Sequence, residues 1–208
     1  MITPESEHLL DEWYGMGLRS FGPLWNKDNA IGVAAASDRP REGLSAFGKR
    51  AIRRASKLGM MIDCSHLNEA GFYDVLEIAG SRMLVTHGNS RALCPHPRNF
   101  TDQQIKDLAA AGGIIGVFFS GKYVRYDVPP TIDDIVAHIE HVVDLVGIKY
   151  LALGTDFGGI TTSLVHGIKK LEDMPNLQEK LIAKGYSQAN IEDIFKKNAE
   201  RYLARVLE

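Results

Sequence analysis

Two cysteines in 208 residues are too few for a disulfide framework, so the fold must rest on its core, and Cys64 and Cys94 are expected as reduced thiols. No apolar run is long enough to cross a bilayer: the longest, residues 109–119, is short and interrupted by glycine. Neither sign of charge dominates, with 24 basic against 26 acidic residues spread along the chain. That balance excludes a basic nucleic-acid stripe and an acidic solvating tail. No basic-plus-apolar leader is visible at the N-terminus, which gives a cytoplasmic expectation. The glycines at 112 and 113 lack the pattern and the following lysine of a phosphate loop. What remains is 45% hydrophobic residues, enough for one sizeable core in a single domain over residues 1–208.

Short apolar runs alternate with helical patterns. Thr3, Pro4 and Glu5 open the first helical pattern with a capping residue, a first-turn proline and an acid in order. Strands are predicted at residues 18–21, 60–65, 83–86, 114–119 and 150–155. Helices are predicted over residues 44–58, after Asn68, from a Thr101–Gln104 capping box to Gly112, and from Thr131 to Val146. Two more follow the last strand, the second starting at Ser187. Continuous rather than alternating apolar strands indicate a parallel sheet covered on both faces, as an open doubly wound sheet or a barrel. Polar residues decide between them. Trp25–Asn26, Ser65–His66, Thr86–His87 and Thr155–Asp156 all fall at or just past strand C-terminal ends, where a (β/α) barrel builds its site. A TIM-barrel-like fold is therefore expected, but an incomplete one. Eight units usually need about 250 residues, and five of the eight are present.

His66 and His87 are the first candidates for chemistry. They follow consecutive strands at equivalent points, so a right-handed crossover brings them side by side, within reach of one metal ion. Either histidine alone would be a polar strand terminus; the pair reverses that reading. Asp156, in Gly154-Thr155-Asp156-Phe157-Gly158-Gly159, is either a proton carrier or an ordinary turn aspartate. Arg98 presents a fork suited to a substrate carboxylate, or is a surface arginine. His138 and His141, three apart on a helix, are assigned to packing, and Asp63 to a structural or supporting role.

These residues and their surroundings resemble the membrane (renal) dipeptidase family of zinc peptidases. The resemblance is carried by Gly59-Met60-Met61-Ile62-Asp63-Cys64-Ser65-His66, Val85-Thr86-His87-Gly88-Asn89 and Pro97-Arg98-Asn99-Phe100-Thr101-Asp102. It continues through Gly112-Gly113-Ile114-Ile115-Gly116-Val117 and Gly154-Thr155-Asp156-Phe157 to Leu171-Glu172-Asp173. The resemblance implies a barrel with two zinc ions bridged by a glutamate, and hydrolysis of dipeptides by water that the metal activates. It implies His66 and His87 as ligands of one zinc, Arg98 as the holder of the dipeptide carboxylate, and Asp156 as the proton carrier for the leaving amine. Trp25 takes the place of a substrate-contacting histidine and would wall the pocket.

The family's first-strand His-x-Asp pair and its bridging glutamate have no counterpart here, and two ligands are fewer than a catalytic zinc usually takes. The absent units would leave two open sheet edges, to be covered by self-association into a homo-oligomer or by a complementing chain. Two alternatives stand beside a dipeptidase: a catalytically incompetent barrel remnant acting as a complementing or interaction subunit, and another metal-dependent amidohydrolase.

Overall fold

The computed structural model describes residues 2–160 and 163–207. Five strands form one parallel sheet in the order β1 (Ser20–Phe21), β2 (Met61–Asp63), β3 (Met83–Gly88), β4 (Ile115–Val117) and β5 (Leu151–Leu153). Strictly sequential order is what a barrel requires, since a doubly wound sheet reverses its order part-way. The sheet is open: β1 and β5 each pair with one neighbour among the described residues. The expected incomplete (β/α) barrel is the architecture observed.

Before β1 come a tight turn at Pro4–Ser6 and α1 (Leu9–Gly15). The first helical pattern thus opens at Thr3 as expected, but its first turn is 3₁₀ and the α-helix starts later. α2 (Ala46–Leu58) links β1 to β2, and its buried Phe47, Ala51, Ile52 and Ala55 make one stripe at helical spacing. Ser45 caps it by accepting from the Gly48 N–H, and Gly59 ends it at φ 93°. α3 (Glu69–Ala79) begins at its Asn68 cap, and α4 (Asp102–Ala110) begins at the Thr101–Gln104 capping box. After β4 come α5 (Gly121–Val124) and α6 (Ile132–Val146). The chain ends with α7 (Met174–Ala183), α8 (Gln188–Glu192), a π-turn at Asp193–Lys197, and α9 (Asn198–Leu207).

Strand residues alternate between two apolar clusters. Ile62, Met83, Val85, Ile115, Val117 and Leu151 join the main core with the stripes of α2, α3, α4 and α6. Met61, Leu84, Ile114 and Ala152 face the other way and meet Tyr202 and Val206 of α9. Asn198, Tyr202 and Val206, spaced by four, form the face that α9 buries. The Tyr202 hydroxyl donates to the Met83 carbonyl at 3.0 Å, and Asn198 Nδ2 donates to the Leu151 carbonyl at 2.7 Å. α9 thus covers the N-terminal half of the inner face. By the two-residue period of a strand, Asp63 follows Met61 and Thr86 follows Leu84 on that face, toward the opposite, C-terminal rim. There the strands approach closely: a Cβ on Gly154 would lie 1.9 Å from the Thr86 carbonyl oxygen, and one on Gly116 2.3 Å from it. Only glycine fits these two positions.

Candidate active site

The two histidines meet. His66 Nε2 and His87 Nε2 are 3.0 Å apart, with ring centroids separated by 5.0 Å. Burial pushes the His66 imidazole down to about 3, and the Arg98 charge adds to that shift. Burial likewise lowers His87, with the Asp63 charge opposing. Both rings are therefore neutral at physiological pH, the form in which imidazole binds a metal. Nitrogens 3.0 Å apart are both within reach of one divalent ion at about 2.0–2.1 Å each. The pair fits part of a metal site. No three His, Cys, Asp or Glu side chains among the described residues converge as a complete one.

His87 is held from β2 by a polar network. Asp63 Oδ1 accepts from the Ser65 N–H and the Thr86 N–H, each at 3.1 Å, and from the Ser65 hydroxyl at 2.5 Å. The Thr86 hydroxyl donates to Asp63 Oδ2 at 2.6 Å and lies 2.8 Å from His87 Nδ1. The His87 N–H donates to Ser65 Oγ at 3.1 Å. The supporting role expected for Asp63 thus takes a definite form, tying the ends of β2 and β3 together beneath the histidines.

Arg98 is the buried cation of the site, only 6% exposed, and Lys122 lines the same cavity. Its backbone is fixed by an N–H bond to His96 Nδ1 at 3.1 Å. Its Nη2 lies 3.4 Å from His66 Nε2, and its guanidinium carbon is 5.7 Å from the Tyr123 ring centroid. Nε and Nη1 are buried without a hydrogen-bond partner. Burial weakens its hold on the proton, while Tyr123, Asp63 and Asp156 support the charge. A buried guanidinium with two unpartnered donors is chemically able to receive an anion.

Asp156 lines the same cavity as His66, His87 and Arg98. It follows β5 and is the one non-glycine residue at positive φ, 53°, among the described residues. Its carbonyl accepts from the Gly159 N–H at 3.0 Å, closing a tight turn whose carboxylate lies over Gly159, where a Cβ would meet it. Trp25 is 71% exposed and borders both this cavity and a larger neighbour of about 310 Å³ that shares Arg98, Lys122 and Tyr123. All five expected site residues therefore gather at one rim.

The α5 turn adds what periodicity could not reveal. It brings Tyr123 to stack on Phe118 with centroids 5.1 Å apart, and Phe118 lies edge-on to His87 at 4.9 Å. Two buried asparagines fix that turn: Asn89 Nδ2 donates to the carbonyls of Phe118 and Tyr123, and Asn99 Nδ2 donates to those of Cys94 and Tyr123. The signal available in sequence was a pair of polar residues flanking His87 and Arg98. His138 is a satisfied core residue, accepting from the Ser90 N–H at Nδ1 and donating from Nε2 to the Val124 carbonyl. His141 pairs with Asp102 at 2.8 Å.

Known proteins resemble the chain in sequence and in fold. An uncharacterized protein from the pqqA 5′ region of Klebsiella pneumoniae is 37% identical over 206 residues, covering 95% of this chain and 75% of that protein. Dipeptidase tcpJ of Claviceps purpurea is 30% identical over 97% of this chain and 48% of its own length. Among solved structures, a metallopeptidase from Rhodobacter sphaeroides, bound to a phosphinate mimic of the dipeptide L-Ala-D-Ala, superposes with a TM-score of 0.88 at 30% identity. That match covers 95% of this chain and 58% of the other, so this chain spans only part of several relatives. No helix among the described residues is long and apolar enough to cross a membrane. The family model for membrane dipeptidase matches residues 4–208, and the chain belongs to that family, peptidase family M19.

Proposed function

We propose that this chain forms the histidine-bearing part of a zinc metallodipeptidase site, with His66 and His87 as ligands of one zinc ion. The observation that carries the reading is the juxtaposition of two neutral imidazoles, nitrogens 3.0 Å apart, with a buried arginine that has two idle donors. A bound zinc would supply Lewis-acid polarisation of a carbonyl and lower the pKa of water to about 7. Arg98 grips the substrate's free carboxylate, which selects dipeptides by length, because the carboxylate must lie one residue beyond the scissile bond. Asp156 takes up and returns a proton at the leaving amine. Trp25 walls the substrate side of the cavity, and Phe118 and Tyr123 keep water from the imidazoles and the guanidinium.

A second reading is favoured by two observations among the described residues: a complete metal set is missing, and the sheet has two open edges. On that reading the chain, as one partial barrel domain over residues 1–208, works with a complementing chain or a second copy that covers β1 and β5. The two buried free cysteines fit a reducing, cytoplasmic setting. Hydrolysis of a dipeptide panel by the purified chain with added zinc tests the first reading. Turnover by the chain alone supports an autonomous enzyme. Turnover that appears only when a polypeptide carrying a His-x-Asp strand is added supports complementation. Cleavage of small amides or lactones with dipeptides inert would replace both by another amidohydrolase.

A further inference from the structure

We infer that Asp63 and Thr86 are positioning residues that lock His87 in the Nδ1–H tautomer, so that its Nε2 lone pair faces the rim; the inference deepens the proposed metal site and rests on it. The donor count carries the argument. An ionised carboxylate only accepts hydrogen bonds, and a hydroxyl has one proton to give. Oxygens 2.5 and 2.6 Å apart must have a proton between them, so the Ser65 and Thr86 hydroxyl protons both point at Asp63. The Ser65–Thr86 contact at 3.0 Å is the longer alternative for either proton. Thr86 Oγ1 is then left only as an acceptor toward His87 Nδ1 at 2.8 Å, so that nitrogen must carry the hydrogen, and in the metal-free chain the hydrogen of the 3.0 Å contact between the two Nε2 atoms comes from His66, whose Nδ1 has no partner. A ring held through Nδ1–H presents an unprotonated Nε2, the arrangement a metal-ligating histidine needs.

Two other histidines of the chain are held the opposite way. His138 Nδ1 accepts from the Ser90 N–H and His96 Nδ1 accepts from the Arg98 N–H, so each carries its hydrogen on Nε2. The tautomer at His87 is therefore a local product of Asp63 and Thr86. The asymmetry of Asp63 sharpens this. Its Oδ1 serves three donors, two of them backbone N–H groups, whereas Thr86 supplies the hydrogen bond at Oδ2. In Asp63→Asn the backbone groups keep the carbonyl oxygen at the Oδ1 position and put the amide NH₂ opposite Thr86. The Thr86 hydroxyl then receives a hydrogen from the amide and turns its own proton to His87 Nδ1, which inverts the tautomer.

Long-range ¹H–¹⁵N correlation of the imidazoles in the full metal-free chain at about pH 8, where histidines are neutral, reads this directly. Expected are Nδ1–H for His87 with Nε2–H for His138 as internal reference, loss of the His87 preference in Thr86→Val, its return in Thr86→Ser, and inversion in Asp63→Asn. An unchanged His138 pattern reports an intact fold in each variant. Nε2–H at His87 in the native chain, or a preference that survives Thr86→Val with the fold intact, overturns the inference. Competition titration with zinc ion alone adds a second readout: affinity falls by about 10–100-fold in Thr86→Val and recovers in Thr86→Ser. If the native chain binds no zinc while the tautomer follows Thr86 and Asp63 as stated, the metal-site reading fails and the positioning of His87 stands.

Discussion

Replacing Arg98 by methionine should stabilise the protein while weakening substrate binding. In the free chain the guanidinium is 6% exposed, with Nε and Nη1 unpartnered. Each buried donor without a partner costs about 1–3 kcal/mol. Methionine fills much the same volume without a charge, and replacing a desolvated ion by an apolar side chain is often stabilising by about 1–4 kcal/mol. A gain of about 2 kcal/mol is expected, which for a chain of this size raises Tm by roughly 4–8 °C. Substrate binding should move the other way. A carboxylate held by two charge-assisted hydrogen bonds gains about 3 kcal/mol, so its loss weakens binding by roughly 150-fold. Thermal unfolding gives the first number, and calorimetric titration with a dipeptide and with the same dipeptide as its C-terminal amide gives the second. Native protein should prefer the free acid, and Arg98→Met should bind acid and amide alike. A variant that is destabilised, or that keeps the preference for the acid, refutes the assignment of Arg98 as an idle carboxylate receptor.

Acid should destabilise the fold through His138, whose pKa burial lowers from 6.5 to about 4. Because the folded value lies below the unfolded one, the unfolded chain binds the proton first. Stability is full above pH 6.5 and falls as pH drops toward about 4, by about 3 kcal/mol in all. Urea denaturation across that range should show a shallower acid slope in His138→Gln. Gly154→Ala forces a Cβ to within 1.9 Å of the Thr86 carbonyl, so it should cost about 3 kcal/mol in the same assay. Asp156→Gly removes the side chain from a residue at φ 53°; it should leave stability within about 1 kcal/mol of native or raise it, while dipeptide turnover falls by at least about 100-fold.

Much of the architecture was legible because the signals were local. Asn68, Thr101 with Gln104, Thr131 and Ser187 stand at helix starts as expected, and His66 lies past the end of β2, whereas His87 lies inside β3, which runs on to Gly88. Strand lengths were less legible. The strand expected over residues 60–65 is shorter: β2 stops at Asp63, where the chain turns so that the Ser65 N–H can reach the Asp63 carboxylate. The helix expected from residue 44 starts at Ala46, because Leu44 bridges to Gly32 and Ser45 is the cap. α5 has four residues, too few to show a helical period, so Tyr123 and Lys122 could not be placed at the site. Burial of Arg98 was invisible for a related reason: the Tyr123 ring beside it comes from α5, distant in sequence.

Imidazole ¹⁵N shifts during a zinc titration decide whether His66 and His87 share one metal ion. Nε2 of both rings should shift together with a single midpoint, His138 Nε2 should stay fixed, and His87→Ala should abolish the shift at His66. Zinc-induced shifts at only one of the two rings, or at neither, would contradict a shared ion.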